Sequence, residues 1–67
     1  MIHVRDYVRV ARLNDEHGDR ARRGERGMVT GRIVNDHGAS PRDPLLIVRF
    51  DDGETDAFWE TELEAAP

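Results

Sequence analysis

The sequence contains no cysteine and no lysine, one tryptophan, one tyrosine and no long apolar run. Without cysteine there is no disulfide and no thiolate-bound metal to brace a chain of 67 residues. A domain of that size buries only roughly 60% of the surface its unfolded chain exposes, so its stability must come from a small apolar core. No stretch approaches the ~18 consecutive apolar residues of a membrane helix, and Met1-Ile2-His3-Val4-Arg5 holds no apolar run of signal-peptide length. These absences predict one domain over residues 1–67, off the membrane and in the cytoplasm.

The lack of lysine leaves arginine as all ten basic residues. Arginine suits planar, bidentate recognition of phosphate or carboxylate. The compositional bias of a GC-rich genome, visible in the abundant Ala, Gly and Asp, explains the same fact without function. The net charge is −4, but it is unevenly spread. Met1 to Arg42 holds nine arginines against six acids, or +3, whereas Asp43 to Pro67 holds one arginine against eight acids, or −7. That asymmetry argues against a uniformly basic nucleic-acid face.

The most informative stretch present is Leu45 to Gly53, LLIVRFDDG, followed at once by Glu54 to Trp59. A strand, a tight Asp-Gly turn and a second strand form a hairpin. Period two puts Leu46, Val48 and Phe50 on one face, with Leu45, Ile47 and Arg49 on the other. Upstream, Asp6 to Leu13 is a first strand with Val8 and Val10 inward and Arg9 outward. Gly27 to Asn35 is a second, with Val29 and Ile33 inward and Gly31 between them marking a bend or a close approach. Asn14 to Gly27 is a long polar loop, and Asp36 to Pro44 a second loop broken by Gly38, Pro41 and Pro44. One helical or 3₁₀ turn over Glu60 to Leu63 returns Leu63 to the core.

These elements predict an all-β fold: a small SH3-like barrel of four to five short antiparallel strands, with a long first loop and a terminal 3₁₀ turn. Closure would bury Val8, Val10, Val29, Ile33, Leu46, Val48, Phe50, Leu63 and one of Phe58 or Trp59, and would remove the open sheet edges.

Three strings carry a resemblance: R-L-N-D at Arg12 to Asp15, G-E-R-G-M-V at Gly24 to Val29, and V-R-F-D-D-G at Val48 to Gly53. They resemble the SH3-like barrels of the Tudor and KOW type, including small barrels attached to bacterial helicases and relaxases. The spacing F-x-E-x-E-L at Phe58 to Leu63 is similar to the peripheral barrel subunit of photosystem I, which helps dock soluble electron carriers. The resemblance implies the fold and a binding role, since its motifs are the mechanics of a barrel and none is catalytic. A Tudor-type aromatic cage would need about three or four aromatics. The chain offers Tyr7, Phe50, Phe58 and Trp59, and the core needs at least two of them.

Candidate binding groups follow. Arg20, Arg22, Arg23 and Arg26 cluster at the end of the first loop, able to pair with phosphates or with an acidic protein surface, or simply balanced by Asp15, Glu16, Asp19 and Glu25. Trp59 points outward if Phe58 points inward, and then reads as an interface residue; alternatively it caps the barrel end. Leu45 and Ile47, on the outer side of their strand, need cover from the long loop or from a partner. The acidic run Asp51, Asp52, Glu54, Asp56, Glu60, Glu62 and Glu64 lacks the ladder of a calcium loop and reads as a solubilising face. His3, His17 and His37 are scattered, and no nucleophile–base pattern is present, so neither metal, cofactor nor catalysis is expected.

Two functions remain open. One is a non-enzymatic module that docks on a larger protein or nucleoprotein complex as an accessory or regulatory subunit, through Trp59, Leu45, Ile47, Arg20, Arg22, Arg23 and Arg26. The other is a nucleic-acid-binding barrel in which the loop arginines, with Arg9 and Arg32, track phosphates. Either would act as a monomer or a weak homodimer.

Overall fold

Alternation of apolar and polar residues is realised as five strands in a computed structural model that describes residues 1–12 and 22–66. Arg20, Leu13 and most of the expected first loop lie outside the described residues. The strands are β1 (Tyr7–Val10), β2 (Arg26–Ile33), β3 (Leu45–Phe50), β4 (Thr55–Trp59) and β5 (Leu63–Ala65). A 3₁₀ turn, Glu60–Glu62, joins the last two. All pairings are antiparallel, in the order β4-β3-β2-β1-β5.

That order dictates the shape. β4 and β5 are opposite edges of the sheet, yet only three residues separate them in the chain. A 3₁₀ turn rises about 2 Å per residue, so both edges must end within a few ångströms of each other. The sheet therefore rolls up into the expected SH3-like, all-β arrangement. It does not close as anticipated: β4 and β5 form no ladder among the described residues, because the turn between them fastens their ends instead of aligning them side by side.

One apolar cluster fills the roll: Val8, Val10, Val29, Leu46, Val48, Phe50, Phe58 and Leu63. Phe50 and Phe58 meet edge to face at 5.9 Å, and Ile2 packs against the cluster from the amino-terminal segment. Each such side chain contributes about 1.5–3 kcal/mol on burial. The β3–β4 hairpin turns through Asp51, Asp52 and Gly53, with Gly53 at φ +86° and its N–H donating to the Phe50 carbonyl at 2.9 Å. The left-handed φ is what the turn requires of a glycine. Gly27 answers a different need. A Cβ there would lie 2.5 Å from the Arg49 carbonyl oxygen and 2.7 Å from Val48 Cγ1, so strands β2 and β3 reach this separation only without a side chain.

Two expectations need correction. Ile33 is half-buried and outside the core cluster. The register shows why: Val29 faces Val48 but Gly31 faces Ile47, so Thr30 is an extra residue, a β-bulge. The extra residue reverses the parity of the strand, and Gly31 and Ile33 turn to the outer face with Ile47 and Leu45. Gly31 thus does mark an irregularity, but one that redirects the strand. Leu45, expected to need cover from the first loop or a partner, is only 9% exposed within the chain itself. Its cross-strand neighbours are Ile33 and Trp59. Leu63 enters the core as expected and also opens β5, which pairs with β1.

Candidate functional site

Paired residues share a face, so the register lists the outer surface of the sheet row by row. The first row is Glu64, Arg9 and Arg26, and the second Tyr7, Met28, Arg49 and Thr55. Gly31, Ile47 and Ala57 form the third, and Ile33, Leu45 and Trp59 the fourth. The face grades from charged at one end to apolar at the other.

The apolar end is largely covered by the chain's own segments. Phe58 is fully buried, which sends Trp59 outward, and Trp59 is half-buried there. A Cβ on Gly38 would stand 4.0 Å from the indole Cη2, so the segment between β2 and β3 passes beside the ring. Leu45 lies next to the indole in register and is buried. Trp59 is therefore neither a core cap replacing Phe58 nor a fully exposed anchor. Ile47 is half-buried beside Gly31, where a Cβ would come within 3.3 Å of its Cδ1.

The 3₁₀ turn holds this end in place. The Glu62 carboxylate accepts the Trp59 backbone N–H at 2.8 Å, and Glu62 is 1% exposed. Its carbonyl accepts the N–H groups of Ala11 at 2.9 Å and Arg12 at 3.2 Å. Glu60 donates its N–H to Pro44 and accepts the Ile2 N–H on its carboxylate at 2.8 Å. Glu62 therefore leaves the solubilising run to which it was assigned and acts as a buried structural group.

Of the loop arginines, Arg22, Arg23 and Arg26 are described, and they meet different surroundings. Arg20 lies outside the described residues. Arg22 is half-buried, with its guanidinium 4.5 Å from the Phe50 ring centroid and paired to Asp52 at 2.7 Å, Glu25 at 3.1 Å and Glu54 at 3.4 Å. Its hydrogen bond to Asp52, helped by the Glu54 backbone N–H, holds the Asp52 carboxyl below its ordinary range; the same bond raises the Arg22 guanidinium further. Arg22 thus clamps the β3–β4 turn to the start of the β2 limb and brings little free charge to a partner. Arg23 is exposed in the turn before β2. Arg26 is exposed on the outer face opposite Arg9, which pairs with Glu64. Arg32 is exposed, with one long hydrogen bond to the Pro41 carbonyl.

Sequence reasoning passed over three residues in the second row. Tyr7 is 39% exposed and Met28 45%, side by side across β1 and β2, with Arg49 exposed on the far side of Met28. Their signal was available: each is the outward member of an alternation whose inward members are core residues. Among the described residues no group of three His, Cys, Asp or Glu side chains gathers to hold a metal.

By sequence, no protein-family model and no curated protein matches the chain. By structure it is similar to the solution structure of the cyanobacterial cytochrome b6f complex subunit PetP. The two share 29% identity with a TM-score of 0.78, over 98% of this chain and 81% of that one. The small all-β fold thus resembles that of a protein that is a subunit of a larger complex.

Proposed function

We propose that the protein is an accessory subunit that docks on a larger protein complex through the outer face of its sheet, with no chemistry of its own. The observation that carries this reading is the similarity to PetP, a complex subunit, at 29% identity across nearly the whole chain. A fold match alone would leave the role open. Here the likeness extends to the sequence, and the outer face presents apolar and arginine side chains that the core does not use.

Of the contact residues expected from sequence, Trp59, Ile47 and Arg26 belong to that face, with Leu45 beneath as support for Trp59. Arg23 extends the surface at the turn before β2, and Tyr7, Met28 and Arg49 join it. A redox complex of the cytochrome b6f kind is the first partner to test. The tagged full-length chain, purified from mildly solubilised membranes of its own host, should migrate with such a complex on a native gel. Migration of the chain alone, both in mild detergent and after cross-linking, overturns the reading. Salt-sensitive binding of a generic oligonucleotide without any protein partner does so too.

A further inference from the structure

The partner's chemistry is legible in the second row of the outer face. The strand positions of that face hold Arg9, Arg26 and Arg49 against a single acid, Glu64, in a chain with 14 acids and 10 arginines. Arg9 stands directly opposite Arg26, and like charges so placed destabilise a sheet. Glu64 neutralises Arg9, its Oε1 lying 3.0 Å from the Arg9 Nε. Arg26 and Arg49 have no ion pair among the described residues, and both flank Met28: Arg26 two positions before it on the same face, Arg49 across the strand pair. Tyr7 completes the strip on the other side. Two adjacent, exposed large apolar side chains beside two guanidiniums with no ion pair among the described residues are not required by the fold.

We propose that the strip of Tyr7, Met28, Arg26 and Arg49 binds a short acidic segment of the partner protein, seating an apolar side chain on Tyr7 and Met28 and carboxylates on the two arginines. The proposal rests on the docking role argued above and names what docks. Guanidiniums match carboxylates in bidentate geometry, and an aromatic ring with a flexible thioether accepts an apolar anchor of varied shape. Charge decides against the other occupants. A nucleic-acid strand runs on beyond the strip, and past Arg49 it would meet the exposed acids Asp51, Asp52 and Glu54 of the hairpin turn, which a short segment ending on Arg49 does not reach. An isologous second copy would set Arg26 and Arg49 against themselves.

The test is an amide-resolved NMR titration of the full chain with a short peptide alternating Asp or Glu with Leu or Phe. Its Asn/Gln counterpart and a single-stranded oligonucleotide serve as comparisons. Shifts should concentrate at Tyr7, Arg26, Met28 and Arg49, weaken with salt, and require the acidic peptide. Arg26→Glu with Arg49→Glu should lower affinity by on the order of tenfold or more, and Met28→Ser should lower it with the charges intact. All three residues are exposed, so an unchanged dispersed spectrum of each free variant confirms the fold. No shifts at these residues, equal binding of the neutral peptide, or a stronger response to the oligonucleotide would overturn the proposal. The native-gel result separates the two readings. If the charge-reversed chain still migrates with the complex, docking survives and this strip is not its contact. If the wild-type chain never migrates with a complex yet binds the peptide here, the reverse holds.

Discussion

The Glu62 carboxylate accepts the Trp59 backbone N–H at 2.8 Å, three residues back along the chain and almost wholly out of water. The contact fixes the 3₁₀ turn at the point where the two edges of the rolled sheet come together. It also presents the Glu62 carbonyl to the Ala11 and Arg12 N–H groups that follow β1. One residue thereby ties β4, β5 and the end of β1.

Glu62→Ala should accordingly destabilise the protein by about 2–4 kcal/mol, since it removes the carboxylate that accepts a part-buried N–H and leaves a cavity where a buried side chain stood. Glu62→Gln keeps an acceptor of the same length and should cost well under half as much. Urea unfolding of both variants measures this. Equal losses would mean that charge, not the hydrogen bond, is what the turn needs.

The Arg22–Asp52 pair makes stability depend on pH. Asp52 has its folded-state pKa lowered, so its contribution is complete above the ordinary aspartate range near ~3.9 and is lost as pH falls through the lower folded value. Urea midpoints followed downward from pH 6 should fall on acidification, and Asp52→Asn should flatten part of that fall. Arg22→Lys keeps the charge but loses the fork and the stacking on Phe50, and should lower the midpoint at neutral pH. An unchanged acid limb in Asp52→Asn would show that other carboxylates carry it.

Glycines should divide by cause. Gly27→Ala drives a methyl into the Arg49 carbonyl, which cannot yield without breaking the ladder, and should cost on the order of 3 kcal/mol or prevent folding. Gly53→Ala meets open space and is opposed only by its φ, a cost of about 1 kcal/mol. Gly31→Ala presses on the movable end of Ile47 and should be the mildest. Thermal midpoints of the three rank them, and a different order would mean the strand spacing is not set at Gly27.

Trp59 is the single tryptophan, so its fluorescence reports its own burial. Emission should lie between that of buried and fully hydrated indole, and shift to the red on unfolding. Trp59→Ala should cost about 1–3 kcal/mol while preserving the dispersed spectrum of a folded chain. Collapse of the fold would place the indole in the core; no cost at all would place it wholly in solvent.

These contrasts show what period-two reading reveals and what it misses. Val8, Val10, Leu46, Val48 and Phe50 were legible because alternation is a local rule and the Asp51–Gly53 turn is local chemistry. Ile33 was misplaced because one extra residue, Thr30, reverses that rule, and nothing in its side chain announces it. Leu45 seemed to lack cover because its neighbours, Ile33 and Trp59, come from other strands. Glu62 was misjudged for the same reason, and the Asp52 partner of Arg22 went unseen: Asp52 and the amides after β1 are remote in the chain, so each residue looked like another member of a charged run. The strings resembling Tudor, KOW and photosystem I barrels express strand spacing and turn geometry, which many small barrels share. Tyr7, Met28 and Arg49 were visible as outward positions, but their adjacency exists only once the register is known.

The pairing of β1 with β5 has a kinetic meaning. Val8 and Ala65 are cross-strand neighbours although they stand near opposite ends of the chain. Nearly the whole polypeptide must therefore close into one loop before that ladder can form, while the β3–β4 hairpin closes over only four residues, Asp51 to Glu54. Entropy delays the long closure relative to the short one. Folding should take milliseconds to seconds despite the chain's small size. Stopped-flow refolding should find the hairpin protected first and the β1–β5 seam last.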